Sequence, residues 1–93
     1  MAEGQEVFAM IHIKEKTLDR DTIAVEVGGI LDQGAIPLLQ NVCDRCLIEE
    51  RKVLLDLEGV VHITREGRVF LHEIHKKVTI SNLPEFVKLE PPT

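Results

Sequence analysis

Apolar and polar positions alternate from Val7 to Ile13, with Val7, Ala9, Ile11 and Ile13 on one side and Phe8, Met10 and His12 on the other. A period of two predicts a strand. Lys14 to Asp21 is charged, and Leu18-Asp19-Arg20-Asp21 is suited to a turn. Alternation resumes over Thr22 to Val27, where Ile23, Val25 and Val27 share a face, so the two strands read as an antiparallel hairpin. Gly28-Gly29 breaks the second strand and Ile30-Leu31 continues it briefly.

Beyond Gly34 the period changes. Ile36, Leu39, Val42, Cys43, Cys46 and Leu47 recur at spacings of three and four, one stripe of a helix predicted from Asp32 to Ile48. Asp32 stands as its N-cap, and Pro37 falls in the first turn, where its missing N–H costs little. Val53 to Leu57 is an apolar run holding one acid, as in a strand buried on both faces. Gly59 is expected to end it, with Val60 to Ile63 crossing under the sheet. Thr64 is the next N-cap candidate, Glu66 sits in the first turn where negative charge is favoured, and Val69, Phe70, Leu71 and Ile74 supply an apolar face. Val78 to Ile80 is a short strand, Ser81-Asn82 a turn, and Leu83 onward a last short helix carrying Phe86, Val87 and Leu89.

The predicted order is β-β-α-β-α-β-α. It calls for an α/β domain over residues 1–93, with residues 1–5 and 91–93 as flexible ends. Two consecutive βαβ units require right-handed crossovers and a mostly parallel sheet, to which the hairpin adds an antiparallel part. In such sheets, binding surfaces form just past the carboxyl ends of the strands. The working surface is therefore expected near Thr64 to Gly67.

Composition narrows the function. The chain has three Phe and neither Trp nor Tyr, so the core is aliphatic and offers few rings for stacking bases. A formal net charge of −5 disfavours phosphate backbones and thus nucleic acid. No apolar run approaches the roughly 20 residues that cross a bilayer, and no basic, apolar leader opens the chain. A cytoplasmic location and no direct membrane insertion are expected.

Gly29-Ile30-Leu31-Asp32 and the run from Asp56 to Gly67, in this order of elements, resemble a STAS domain, the domain of bacterial anti-sigma factor antagonists and of sulfate transporter tails. The likeness spans Val7 to Leu89. Gly29, Leu31 and Asp32 match the family's Gly-x-Leu-Asp turn. Asp56, Leu57, Gly59 and Val60 match its Asp-Leu-Ser-Gly-Val run, with Glu58 replacing Ser. In the antagonists the run ends in Asp-Ser-Ser-Gly or Asp-Ser-Ala-Gly, and phosphorylation of the first Ser dismantles a protein interface. Here Gly67 matches the Gly, while Thr64 stands at the Asp, Arg65 at the phosphorylated Ser and Glu66 at the small residue. Arg cannot accept a phosphoryl group. The resemblance implies a non-catalytic protein-interaction module for bacterial signalling, with Thr64, Arg65, Glu66, Gly67 and Arg68 facing the partner beside Gly29 and Asp32. An anti-sigma kinase, a sensory regulator or a transporter component would be that partner.

Other readings stand beside this one. Thr64 is either a helix cap or a displaced phosphorylation site steadied by Arg65. Cys43-Asp44-Arg45-Cys46 is either core packing on the apolar stripe, a redox pair, or half of a zinc site completed by His72 and His75. Asp19, Asp21 and Asp32, or Asp56 with Glu58, form no shared pocket in the sequence pattern. Asp56 reads as a strand-end residue that hydrogen-bonds a nearby loop. No catalytic set, metal site or cofactor is expected. The chain could instead be an assembly subunit, or a homodimer joined through an edge strand of the hairpin.

Overall fold

The computed structural model describes residues 11–84. They form β1 (Ile11–Thr17), β2 (Thr22–Leu31), α1 (Ile36–Ile48), β3 (Lys52–Ile63), α2 (Arg65–Ile74) and β4 (Thr79–Ser81). The strands make one mixed sheet in the order β1-β2-β3-β4, with β1 antiparallel to β2 and the other pairs parallel. This is the expected α/β class and order. Val7 to Met10 and the helix around Phe86 lie outside the described residues.

Stepping β2 to β3 to β4 always in one direction with right-handed crossovers puts both helices on the same face. A single core follows. Ile23, Val25, Val27 and Leu31 of β2 and Val53, Leu55, Leu57, Val60 and Ile63 of β3 meet Leu39, Cys43 and Cys46 of α1 and Phe70, Leu71 and Ile74 of α2. The helical stripe read from the sequence is the buried face of α1. The expectation that β3 is buried on both faces is corrected. Its Val53, Leu55 and Leu57 are buried while Leu54 and Asp56 are half-buried, because both helices lie on one side.

Three boundaries also differ from expectation. β1 continues through Lys14-Glu15-Lys16-Thr17, which pair with Ala24 to Glu26 and Ile23. Charge is tolerated on an edge strand: Lys14 sits opposite Glu26, and Glu15 on the helix side pairs with Arg45 of α1. The turn is Leu18 to Asp21 as expected. The Asp19 carboxylate accepts the Asp21 amide at 2.9 Å, which holds its pKa below the ordinary value.

Neither Gly28-Gly29 nor Gly59 stops its strand. β2 runs on to Leu31 and β3 to Ile63, so Val60 to Ile63 is strand and not a crossing segment. The glycines absorb irregular pairing. β3 takes seven steps from Asp56 to Ile63 while β2 takes five from Glu26 to Leu31, so β3 bulges twice. Gly28 and Gly59 face each other at the first bulge, where a Cβ on Gly59 would come within 3.1 Å of the Gly28 Cα. Gly29, at φ 93°, adopts a conformation that suits only glycine well. Asp56 ties the region together. Its Oδ1 accepts the Glu58 amide at 3.0 Å and the Asn82 side chain, in the turn after β4, at 2.9 Å.

α1 ends in a Schellman motif. The Arg51 amide donates to the Cys46 carbonyl at 3.1 Å and the Glu50 amide to the Leu47 carbonyl at 2.9 Å. The motif needs a left-handed residue, and Glu50 supplies it at φ 63°. An L-residue there costs about 1–2 kcal/mol, part of which glycine would recover after its larger loss of chain entropy. Glu50→Gly should therefore stabilise the fold by roughly 0.5–1 kcal/mol, a rise of about 2–8 °C in melting midpoint. A thermal melt followed by circular dichroism checks this, and an unchanged or lower midpoint would contradict it.

Candidate docking edge

The parallel strands β2 and β3 end side by side, with Leu31 paired to Ile63. Each then turns into a helix. Asp32 caps the turn that leads into α1. Its Oδ1 accepts the Ala35 amide at 3.0 Å and its carbonyl accepts the Ile36 amide at 3.2 Å. The helix proper begins later than expected, at Ile36, because residues 33–35 form the capped turn.

Thr64 caps α2 directly. Its backbone is extended, at φ −79° and ψ 174°, and its Oγ1 accepts the Gly67 amide at 3.3 Å. The same hydroxyl lies 3.4 Å from the Leu31 carbonyl, to which it donates, and the Thr64 amide donates to that carbonyl at 3.0 Å. The Thr64 hydroxyl is thus engaged on both sides. The cap joins the start of α2 to the end of β2 through one oxygen.

Gly67 explains the closeness of this join. A Cβ at Gly67 would stand 2.5 Å from the Leu31 carbonyl oxygen and 2.9 Å from Ile63 Cγ2. Only glycine lets the first turn of α2 settle on the strand ends. Gly67 is accordingly buried, shaping the edge from below and presenting no side chain to a partner. Thr64, Gly29 and Asp32 are half-buried. Arg65, Glu66 and Arg68 are exposed. The predicted residues therefore gather at one end of the sheet, divided between those that build the edge and those that project from it.

Sequence reasoning overlooked the exposed apolar residues Val61 (71% exposed) and Leu38 in the first turn of α1 (47%), and its placing of Val69 on the apolar face of α2 is corrected, since Val69 is 51% exposed. Val61 and Val69 look like core in an apolar run. The bulges turn Val61 outward, which is not visible without the pairing, and the pitch of α2 turns Val69 outward. A cavity of about 400 Å³ lies on the face of the sheet away from the helices, floored by Gly28 and Gly59 and bordered by Lys14, Glu26, Asp56 and Glu58. The expectation that Asp56 and Glu58 share no pocket is corrected, because both project from β3 on this face.

Cys43 and Cys46 are free and buried in the core. Burial, then the neighbouring Cys46 and Asp44, pushes the Cys43 thiol up to about 12, and burial raises Cys46 as well. That is the opposite of an activated thiol. Among the described residues no His, Cys, Asp and Glu gather to hold a metal ion; His72 and His75 stack on each other, with ring centroids 5.4 Å apart.

These thiols imply a pH dependence. An unfolded thiol near 9.0 releases its proton as pH rises, while folded Cys43 keeps it until about 12. The unfolded state then binds fewer protons, so stability falls as pH climbs through that window. The chain has no Tyr to obscure the effect. The melting midpoint should drop from pH 8.5 to roughly pH 10.5, and drop less in Cys43→Ala. A midpoint that holds steady across this range would show that the thiols are not buried as described.

Comparison with family models and with curated proteins yields no match. Among solved structures, an uncharacterised protein of the DUF3478 family from Shewanella loihica PV-4, described as having a SpoIIAA-like fold, superposes at a TM-score of 0.58 with 14% identity. The match covers 90% of this chain and 75% of that one. The present fold is SpoIIAA-like. The structure titled "Crystal Structure Analysis of Mglu" matches at a TM-score of 0.66 with 18% identity, over 81% of this chain and 20% of its own, so this chain spans about a fifth of that protein's length. At such identities the SpoIIAA-like likeness concerns architecture. It agrees with the STAS resemblance read from Gly29 to Asp32 and Asp56 to Gly67.

Proposed function

We propose that this chain is a non-catalytic protein-interaction module that docks a partner through the start of α2 and the adjoining turn from Gly29 to Asp32. The observation that carries the reading is the set of exposed side chains Arg65, Glu66 and Arg68 on a helix start anchored by Thr64 and Gly67. A rigid base with projecting charge suits recognition, because little order is lost on binding. Exposed Val61 and Val69 nearby in sequence supply apolar area.

In this reading the edge is a constitutive binder. Arg65 stands where the resembled antagonists carry a phosphorylated Ser, and Thr64 serves as a cap whose hydroxyl is already engaged. The partner would be a kinase-like regulator, a sensor or a transporter component in the bacterial cytoplasm, a setting in which the two free thiols are at home. No helix among the described residues is long and apolar enough to cross a membrane. A homodimer through β1 is the second reading, since β1 lies at the sheet edge. Lys14, Glu15 and Lys16 along it weigh against open strand pairing.

The test is affinity capture followed by quantitative binding. Arg65→Glu should weaken the captured partner about 5- to 30-fold, the range of a 1–2 kcal/mol interface residue, with an unchanged melting midpoint. Unaltered binding would remove this edge as the docking surface. Recovery of a stable dimer, disrupted by changes in β1 and not by Arg65→Glu, would establish the second reading. Phosphate incorporated on Thr64 by a STAS-directed kinase would overturn the constitutive reading.

A further inference from the structure

The charges of α2 are sorted. Gly67, Phe70, Leu71 and Ile74 are buried and fix which side of the helix faces the core. Arg65, Arg68 and His72 follow one another at spacings of three and four, which stacks them along one outer side, and His75 and Lys76 continue the line in the next turn. Glu66 and Glu73, seven residues apart, lie on the other flank. Glu73 lines the shallow groove between α1 and α2 with Gln40, Asp44 and Lys77. Glu73 is therefore turned toward α1, with Arg65, Arg68 and His72 on the other flank of α2.

This basic line belongs to a chain of net charge −5. Among the described residues the ion pairs are Arg45 with Glu15 and Arg51 with Glu49, and neither takes a member of the line. Arg65 and Arg68 are exposed, and their guanidinium groups favour carboxylates through paired hydrogen bonds. The His75 ring is already oriented, with its Nδ1 2.5 Å from the His72 carbonyl.

We infer that the docking surface extends from Arg65 along the outer side of α2, and that its partner is an acidic protein segment. The inference deepens the proposed function and rests on it for the place of docking. It adds the chemistry of the partner: carboxylates spaced to meet Arg65, Arg68 and Lys76. A fixed positive charge at Arg65 fits such a partner in the same sense that an added phosphate would repel it.

A ten-residue polyglutamate peptide is a suitable probe, added to the isotope-labelled chain and followed by amide NMR shifts. At about 20 mM salt, shifts should concentrate at Arg65, Arg68, His72 and Lys76, and they should weaken at least tenfold at about 500 mM, where screening is nearly complete over a few ångströms. The double variant Arg65→Gln, Arg68→Gln should lose them while keeping its melting midpoint. Shifts that are absent, that map to another face, or that survive the double variant would overturn the inference. So would a single-stranded oligonucleotide occupying the same line more tightly than the peptide. If a captured partner depends on Arg65 but ignores Arg68→Gln and polyglutamate competition, the inference fails while the docking edge stands.

Discussion

Replacing Gly67 with alanine should lower the melting midpoint by roughly 10 °C. Helix propensity alone argues the reverse, since alanine inside a helix is favoured over glycine by about 1 kcal/mol. Contact decides the sign. The new methyl would stand 2.5 Å from the Leu31 carbonyl oxygen. That oxygen is held by the Thr64 amide and hydroxyl, so it cannot swing aside like the tip of a flexible side chain. Overpacking of this kind costs about 1–3 kcal/mol, and the shift that relieves it also strains the Thr64 cap, whose loss costs about 1 kcal/mol. A net loss near 2 kcal/mol gives a fall of about 8–16 °C. Gly67→Val should leave little folded protein at 37 °C. Thermal melts test both, and hydrogen exchange at the Arg68 amide, which bonds the Thr64 carbonyl, reports whether α2 has lifted. A Gly67→Ala protein that melts above the parent would refute the close approach.

Leu31→Ala is the second large effect, at about 2–5 kcal/mol, or roughly 8–40 °C. Leu31 is fully buried at the junction of β2 with both helix starts. The combination with Gly67→Ala is more discriminating than either change alone. Were the Leu31 side chain the obstacle, its removal would make room for the methyl at residue 67. The nearest atom is instead the Leu31 backbone oxygen, which Leu31→Ala retains; the side-chain Cγ is farther, at 3.2 Å. The double variant should thus show little relief. Chemical denaturation of the four proteins in a cycle measures it, and recovery of more than about 1 kcal/mol would place the clash on the side chain.

Much of this architecture is legible in residue order. The change of period at Gly34 locates α1, and its stripe of Leu39, Cys43 and Cys46 is the buried face. The cap at Thr64 and the turn at Leu18 to Asp21 follow from side-chain chemistry alone. The sequence misleads where an effect depends on two distant segments. Gly28, Gly29 and Gly59 read as strand breakers because glycine is costly in a lone strand. They are kept within β2 and β3 by a bulged pairing that no local window contains. Lys14 to Thr17 reads as loop because it is charged, and becomes strand because it lies on an edge. Of the proposed docking edge, Thr64, Arg65 and Asp32 announce themselves by type and position. Val61 does not, since an apolar residue in an apolar run gives no sign of its direction, and Val69 is read onto the wrong side of α2, whose buried stripe is Gly67, Phe70, Leu71 and Ile74.

The paired bulges of β3 carry a consequence for how this strand can vary. Each extra residue reverses the parity of the strand, so one alone would exchange the inward and outward sets from that point on. Two restore it: Leu57 and Ile63, an even number of positions apart, both enter the core. Changes of chain length between Asp56 and Ile63 are therefore compatible with the fold in twos. A single deletion would send Ile63 outward and set the first turn of α2, with Arg65, on the wrong side of the sheet.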